Sequence, residues 1–149
     1  MRALPAGAQA ALDARAVTIR DFLWIEARNN ATQAIVPVGF WSDLGDVTAQ
    51  VIDPRTGIEA ARSFEGAGGM IDISQVPMTS NLTVQTVDIT LSQISNANDL
   101  IRGYDLKQAR VEIFRGLFAP ASLVQLAPAY ARFVGFIDMP DITSTAEGE

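Results

Sequence analysis

LTVQTVDITLSQISNANDLIRGYDLKQARVEIFRGLF, residues Leu82 to Phe118, decides the fold. It opens on a strand-like run, Leu82 to Leu91, rich in Val, Ile and Thr, types that fit a pleated, half-buried surface. Polar residues break the run from Ser92 to Asn98. A short helical or turn segment is expected over Asp99 to Gln108, with Asp99 as N-cap for Leu100 to Lys107. A second strand is expected over Ala109 to Phe114. Val87, Ile89 and Leu91 share one face and Ala109, Val111 and Ile113 another, the period of two that marks a buried side. Leu82 and Val84 fall on the opposite parity from Val87. Either both faces of that strand are covered, or a bulge re-aims the chain between Val84 and Val87.

Outward from this unit the same pattern repeats. Val17 to Ala27, Ala34 to Trp41, Val47 to Ile52, Met70 to Val76, Leu123 to Leu126 and Ala131 to Asp138 read as strands. Turn signals such as Asn29-Asn30 and Asp53 to Gly57 separate several of them. Pro37 cannot donate to a ladder, so its strand lies at an edge or starts there. Gly135 implies a bulge or a close backbone approach. Arg62 to Gly69 (RSFEGAGG) reads as a hairpin turn or flexible loop. It lacks the Lys-Ser/Thr that must follow a phosphate-binding loop, and Met70 to Val76 offers no βαβ context. About eight strands with one or two short helices argue a mainly β chain, an antiparallel barrel or sandwich.

At 149 residues the sequence suits one domain, 1–149. Residues 1–16 form an Ala-rich segment of helical propensity, and 142–149 a polar, acidic tail. The helix is expected to cap its own domain or to dock on a neighbour. Asp13 and Arg15 interrupt the N-terminal stretch before an apolar h-region forms, which argues against a signal peptide. No apolar run reaches the roughly 20 residues that span a bilayer, so stable membrane binding is not expected.

Composition narrows the chemistry. There is no Cys and no His. Thiolate and imidazole nucleophiles, bases and zinc ligands are excluded, and neither enzyme activity nor a cofactor is expected. Asp43 with Asp46, Asp99 with Asp105, and Asp138 with Asp141 are spaced as carboxylate pairs. All sit in turns, where Asp is favoured because it bonds the local backbone. The ten aromatic side chains from Trp24 to Phe136 that lie on or near strand-like runs read as core before they read as a sugar-binding platform. With a net charge of −6 and ten Arg spread along the chain, tight nucleic-acid binding is disfavoured. Arg102, Lys107, Arg110 and Arg115 make one loose basic grouping.

From Val84 to Asp138 the sequence carries TVDITLSQIS, LIRGYDLKQARVEIFRGLF and LVQLAPAYARFVGFIDMPDI. These segments resemble the tail-tip or baseplate hub proteins of long-tailed bacteriophages and of gene transfer agents. The match includes Phe133, Gly135, Ile137 and Asp138 of the closing strand, with Met70 to Asn81 fitting the approach to the domain. The resemblance implies a tail-tube-type β domain with a flanking helix, whose copies form a ring, trimer or hexamer, around a DNA channel. It implies a structural virion protein at the tail tip, assembled in the host cytoplasm. Its neighbours would be the tube or distal tail protein and the tip or fibre-bearing proteins. DNA would pass through without specific binding, past an acidic wall that repels phosphate. On this view Phe64, Glu65, Gly66, Gly68 and Gly69 are candidate inter-ring loop contacts. Val36, Pro37 and Val38 are the candidate subunit-edge strand. A distal tail protein, a head–tail connector and a carbohydrate-binding sandwich are the alternatives.

Overall fold

The structure, a computed structural model, describes residues 4–67, 71–76, 84–91 and 102–140. A short helix, α1 (Ala6–Asp13), is followed by eight strands: β1 (Thr18–Asn29), β2 (Ile35–Trp41), β3 (Val47–Ile52), β4 (Glu59–Gly66), β5 (Ile71–Ile73), β6 (Ile89–Leu91), β7 (Tyr104–Phe118) and β8 (Tyr130–Phe136). Six of them form one sheet in the order β3-β4-β2-β1-β7-β8, and β5 and β6 pair as a separate antiparallel ribbon. The large sheet curls into a half-barrel. Its outermost strands meet at one corner, where the Ala129 N–H donates to Gln50 C=O (2.9 Å) and the Ile52 N–H to Ala129 C=O (2.8 Å).

β1 and β7 are the spine, antiparallel from Thr18↔Phe118 to Asn29↔Tyr104. Asp21-Phe22 breaks the simple alternation of β1 because both faces are covered: Phe22 and Leu23 are each 0% exposed. On the convex face Leu23, Ile25, Phe40, Val111 and Ile113 form one core. Ile73, Val87, Ile89 and Leu91 of the small ribbon region pack against it, with the shared face expected for the last three. On the concave face Phe22, Trp41, Phe64, Phe114 and Phe118 form a second, aromatic core. Phe22 and Trp41 stack with centroids 5.9 Å apart, and Phe22 lies 4.7 Å from Phe64. Full burial of each such side chain stabilises by about 1.5–3 kcal/mol.

Three expectations are corrected. The segment expected as helix or turn over Asp99 to Gln108 is helical at Arg102 and Gly103 but strand from Tyr104 on, with Asp99 to Ile101 outside the described residues. Pairing of Asp105 with Arg28 and of Tyr104 with Asn29 overrides the helical propensity of Leu106 to Arg110. β7 is therefore 15 residues long, where a strand over Ala109 to Phe114 was expected. RSFEGAGG is not a loop through its first half. Arg62 to Gly66 belong to β4, which pairs with β3 from Val47↔Phe64 to Ile52↔Glu59. Gly66 is there because a Cβ would press on the backbone of Gly45 and come within 2.8 Å of the Asp43 carbonyl. Finally, Leu123 to Leu126 is not a strand; only Gln125 forms a bridge, to Phe118.

Candidate functional site: the concave face

Register places four rows of side chains across the concave face of β2, β1, β7 and β8. The innermost is Trp41–Phe22–Phe114–Ala131, followed by Gly39–Trp24–Glu112–Val134 and Pro37–Glu26–Arg110–Phe136. At the mouth stand Ile35–Arg28–Asp105. The face thus grades from dry aromatic packing to charge over the length of one strand.

The second row carries a buried ion cluster. Glu112 is 0% exposed; its Oε2 accepts from Arg62 Nη1 (2.7 Å) and its Oε1 from Arg110 Nε (2.8 Å). Arg62 reaches it from β4 and also donates to Asp53 Oδ2 at 3.2 Å. Its guanidinium lies 4.6 Å above the Trp24 ring, a cation–π geometry that suits a weakly hydrated planar cation. No buried side-chain polar atom among the described residues lacks a partner. Gly39 leaves room for this layer: a Cβ would sit 2.7 Å from Ser63 O and 2.8 Å from the Phe64 ring.

Nearer the mouth, Arg55 in the β3–β4 turn spans the opening and donates to both oxygens of Glu26 at 2.7 Å. That hydrogen bond holds the Arg55 guanidinium protonated beyond its ordinary range. The turn is set by Asp53, whose Oδ1 accepts the Arg55 N–H, and by Gly57 at φ +70°. The Arg55 N–H holds the Asp53 carboxyl below its usual value, and the Arg62 charge adds to this against the opposing effect of burial. Outside the cluster, Arg20 does the same for Asp43 through a 2.7 Å hydrogen bond, helped by the Leu44 N–H.

The candidate residues distribute as follows. Phe64 is 1% exposed and faces the aromatic core, so it is no loop contact. Glu65 and Gly66 pair with Phe40 and Trp41, while Gly68 and Gly69 lie outside the described residues. Val36 and Val38 turn their backbone groups to β1, as the neighbouring bonds Asn29 N–H to Ala34 C=O and Ser42 N–H to Asp21 C=O fix the alternation. Pro37 turns outward. β2 meets β4 only at Phe40↔Glu65 and Trp41↔Gly66, so Ile35 to Gly39 border an open seam, and the imino acid stands where an N–H would face it. Asp43 accepts the Leu44 N–H, the turn role expected of it, whereas Asp105 lies in strand β7 and accepts the Lys107 N–H beside the bulge. Asp99 and Asp141, expected to complete two of the carboxylate pairs, lie outside the described residues. Of the ten aromatics weighed as a platform, Tyr130 and Phe136 are exposed, at 37% and 68%.

Sequence reasoning missed the Arg62–Glu112 cluster. A signal was present: Glu112 and Phe114 share the parity opposite to Val111 and Ile113, and a phenylalanine on a supposedly wet face marks a second cover. Of the loose basic grouping, Lys107 and Arg110 lie at the mouth, Arg115 bonds Asp21 at 2.9 Å, and Arg102 is exposed and lines neither place. No group of three or more metal-binding side chains occurs among the described residues. The concave mouth gathers charged side chains, among which Glu26, Arg55 and Arg110 are held by hydrogen bonds. No family model, characterised protein or solved structure matches the chain.

Proposed function

We propose that the chain is a structural protein of a bacteriophage tail tip or baseplate hub, whose copies close into a ring around the DNA path. The segments Val84 to Asp138 suggest this setting, and a curled sheet with one short helix is the architecture it requires. The observation that carries the reading is the half-barrel itself. Among the described residues it stays open along β8 beyond Ala129, which leaves a sheet edge for a neighbour. Tyr130, Val134 and Phe136 on β8 are exposed apolar side chains at that border. The net charge of −6 suits a channel wall that DNA slides past. The glycan-binding alternative is weaker, because Trp24 lies under Arg62 and the other Trp is fully buried.

Gold-labelled antibody on purified particles tests the assignment. Label at the distal tip supports it, label at the neck moves the protein to a connector, and no label on any particle sinks it. Negative-stain images of the purified chain should show closed rings, three- or sixfold.

A further inference from the structure

The mouth of the half-barrel holds a charge surplus that the molecule as a whole does not share. Arg28, Arg55, Lys107 and Arg110 line a cleft of about 600 Å³ together with Glu26 and Asp105. Four of the chain's 11 basic side chains thus meet in one place on a protein of net charge −6. Two of the four are committed, Arg55 to Glu26 and Arg110 to Glu112. Among the described residues, no ion pair engages Arg28 or Lys107. Asp105 stands opposite Arg28 in register, yet its Oδ1 accepts the Lys107 N–H at 3.0 Å. Lys107 belongs to a bulge: four residues of β7, Leu106 to Ala109, oppose Ala27 alone, and Gln108 takes φ +59° to allow it. Two exposed apolar side chains, Ile35 at 64% and Phe136 at 68%, stand on opposite sides of this otherwise polar cleft.

We propose that this cleft binds an acidic peptide segment of a partner protein, with carboxylates on Arg28 and Lys107 and apolar side chains against Ile35 and Phe136. Strand spacing puts β2 and β8 about 14 Å apart, the span of about four extended residues. Charge complementarity selects the partner. A nucleic-acid backbone is a continuous polyanion and needs a wall of one sign, whereas Glu26 and Asp105 interrupt this one. A peptide alternating acidic and apolar residues meets both the surplus cations and the walls. The site does not depend on ring formation. Rings without peptide binding would sink this proposal alone, and peptide binding without rings would sink only the assembly.

Fluorescence anisotropy at low salt tests it, with a fluorescein-labelled leucine–glutamate repeat as probe. A leucine–glutamine repeat and oligothymidine serve as comparators. The expected result is saturable binding of the acidic repeat, weaker binding of its glutamine counterpart, and a loss of about tenfold in R28E/K107E. Amide shifts of the unaltered chain should move at residues 26–28, 35, 105–110 and 136. Tighter binding of oligothymidine would make the cleft a nucleic-acid contact. No binding, or shifts confined to other surfaces, overturns the proposal. Should R28E/K107E lose its circular dichroism signal, R28Q/K107Q and the shift map decide.

Discussion

Glu112 is held between two guanidinium groups in the interior of the sheet, and the arrangement works only as a set. Arg62 Nη1 and Arg110 Nε each lie within 2.8 Å of one of its oxygens. Arg62 is 8% exposed and has Trp24 and Phe114 on its faces, so it cannot turn to water if the carboxylate is lost. Removing one partner of a buried pair leaves an uncompensated charge and costs about 3–5 kcal/mol. Glu112→Gln keeps the shape and removes the charge; Asp53 still neutralises part of Arg62, so a loss near the lower limit is expected, about 3 kcal/mol in urea unfolding. The double change R62M/E112L should be less damaging than E112Q, because it removes the stranded cation together with its partner. A larger loss in the double variant would mean that Arg62 contributes through its stacking on Trp24 more than through its charge.

At the scale of elements, the contact between β2 and β4 decides the shape. It begins at Phe40↔Glu65 and opens toward Ile35, with Gly39 at the point of divergence. Gly39→Ala would drive a methyl group into the Ser63 carbonyl at 2.7 Å and into the Phe64 ring. The strands would have to part, at about 1–3 kcal/mol, and the Phe64 packing would report it as a change in near-ultraviolet circular dichroism. Pro37 acts on the same seam in the opposite sense. It denies the gap between β2 and β4 a donor, a device that limits strand addition by other chains. Pro37→Val should leave the monomer folded and raise its tendency to self-associate, seen as heavier species in sedimentation velocity. An unchanged sedimentation profile would show that the seam is shielded by something other than the proline. Pro37 read in the sequence as the mark of an edge or a strand start, whereas β2 starts at Ile35 and lies between β1 and β4, and the imino acid stands where β4 has diverged. β4 was not legible. Its Gly66 and the glycines after it read as a loop, whereas Gly66 serves close packing against Gly45, a fact fixed by distant chain segments. The concave face was half legible for a related reason. Alternation identifies a buried face, but only the partner strands show that the other face is buried too.

For the whole molecule, the consequence is that the β3–β4 hairpin is fastened to the β1–β7 wall by charge as well as by Phe64. Arg55 reaches Glu26, Arg62 reaches Glu112, and Arg20 on β1 holds Asp43 at the other end of the hairpin. Two carboxylates near this junction, Asp43 and Asp53, have folded-state pKa values below the ordinary 3.8. A carboxyl whose pKa is depressed by folding binds its proton more readily in the unfolded chain. Its contribution to stability is therefore complete above the unfolded value, about 4, and is lost as pH falls through it toward the lowered folded value. Both groups are partly exposed, with side chains 30% and 23% accessible, so screening by water keeps each effect modest. The two act on the same hairpin, however, and the hairpin meets the wall through few backbone bonds. Acid should consequently loosen β3 and β4 before the spine. Hydrogen exchange followed from pH 6 to pH 3, corrected for the intrinsic rate, should show protection falling first at Val47 to Ile52 and Glu59 to Gly66. Protection within Phe22 to Ile25 and Val111 to Phe114 should persist to lower pH. Asp53→Asn retains an oxygen for the Arg55 N–H, so the turn is kept and only the charge is lost. In that variant the acid-dependent drop should shrink while stability at neutral pH falls. Simultaneous loss of protection in hairpin and spine would mean that the half-barrel opens as one unit, with the aromatic core and not the ion pairs setting its cohesion.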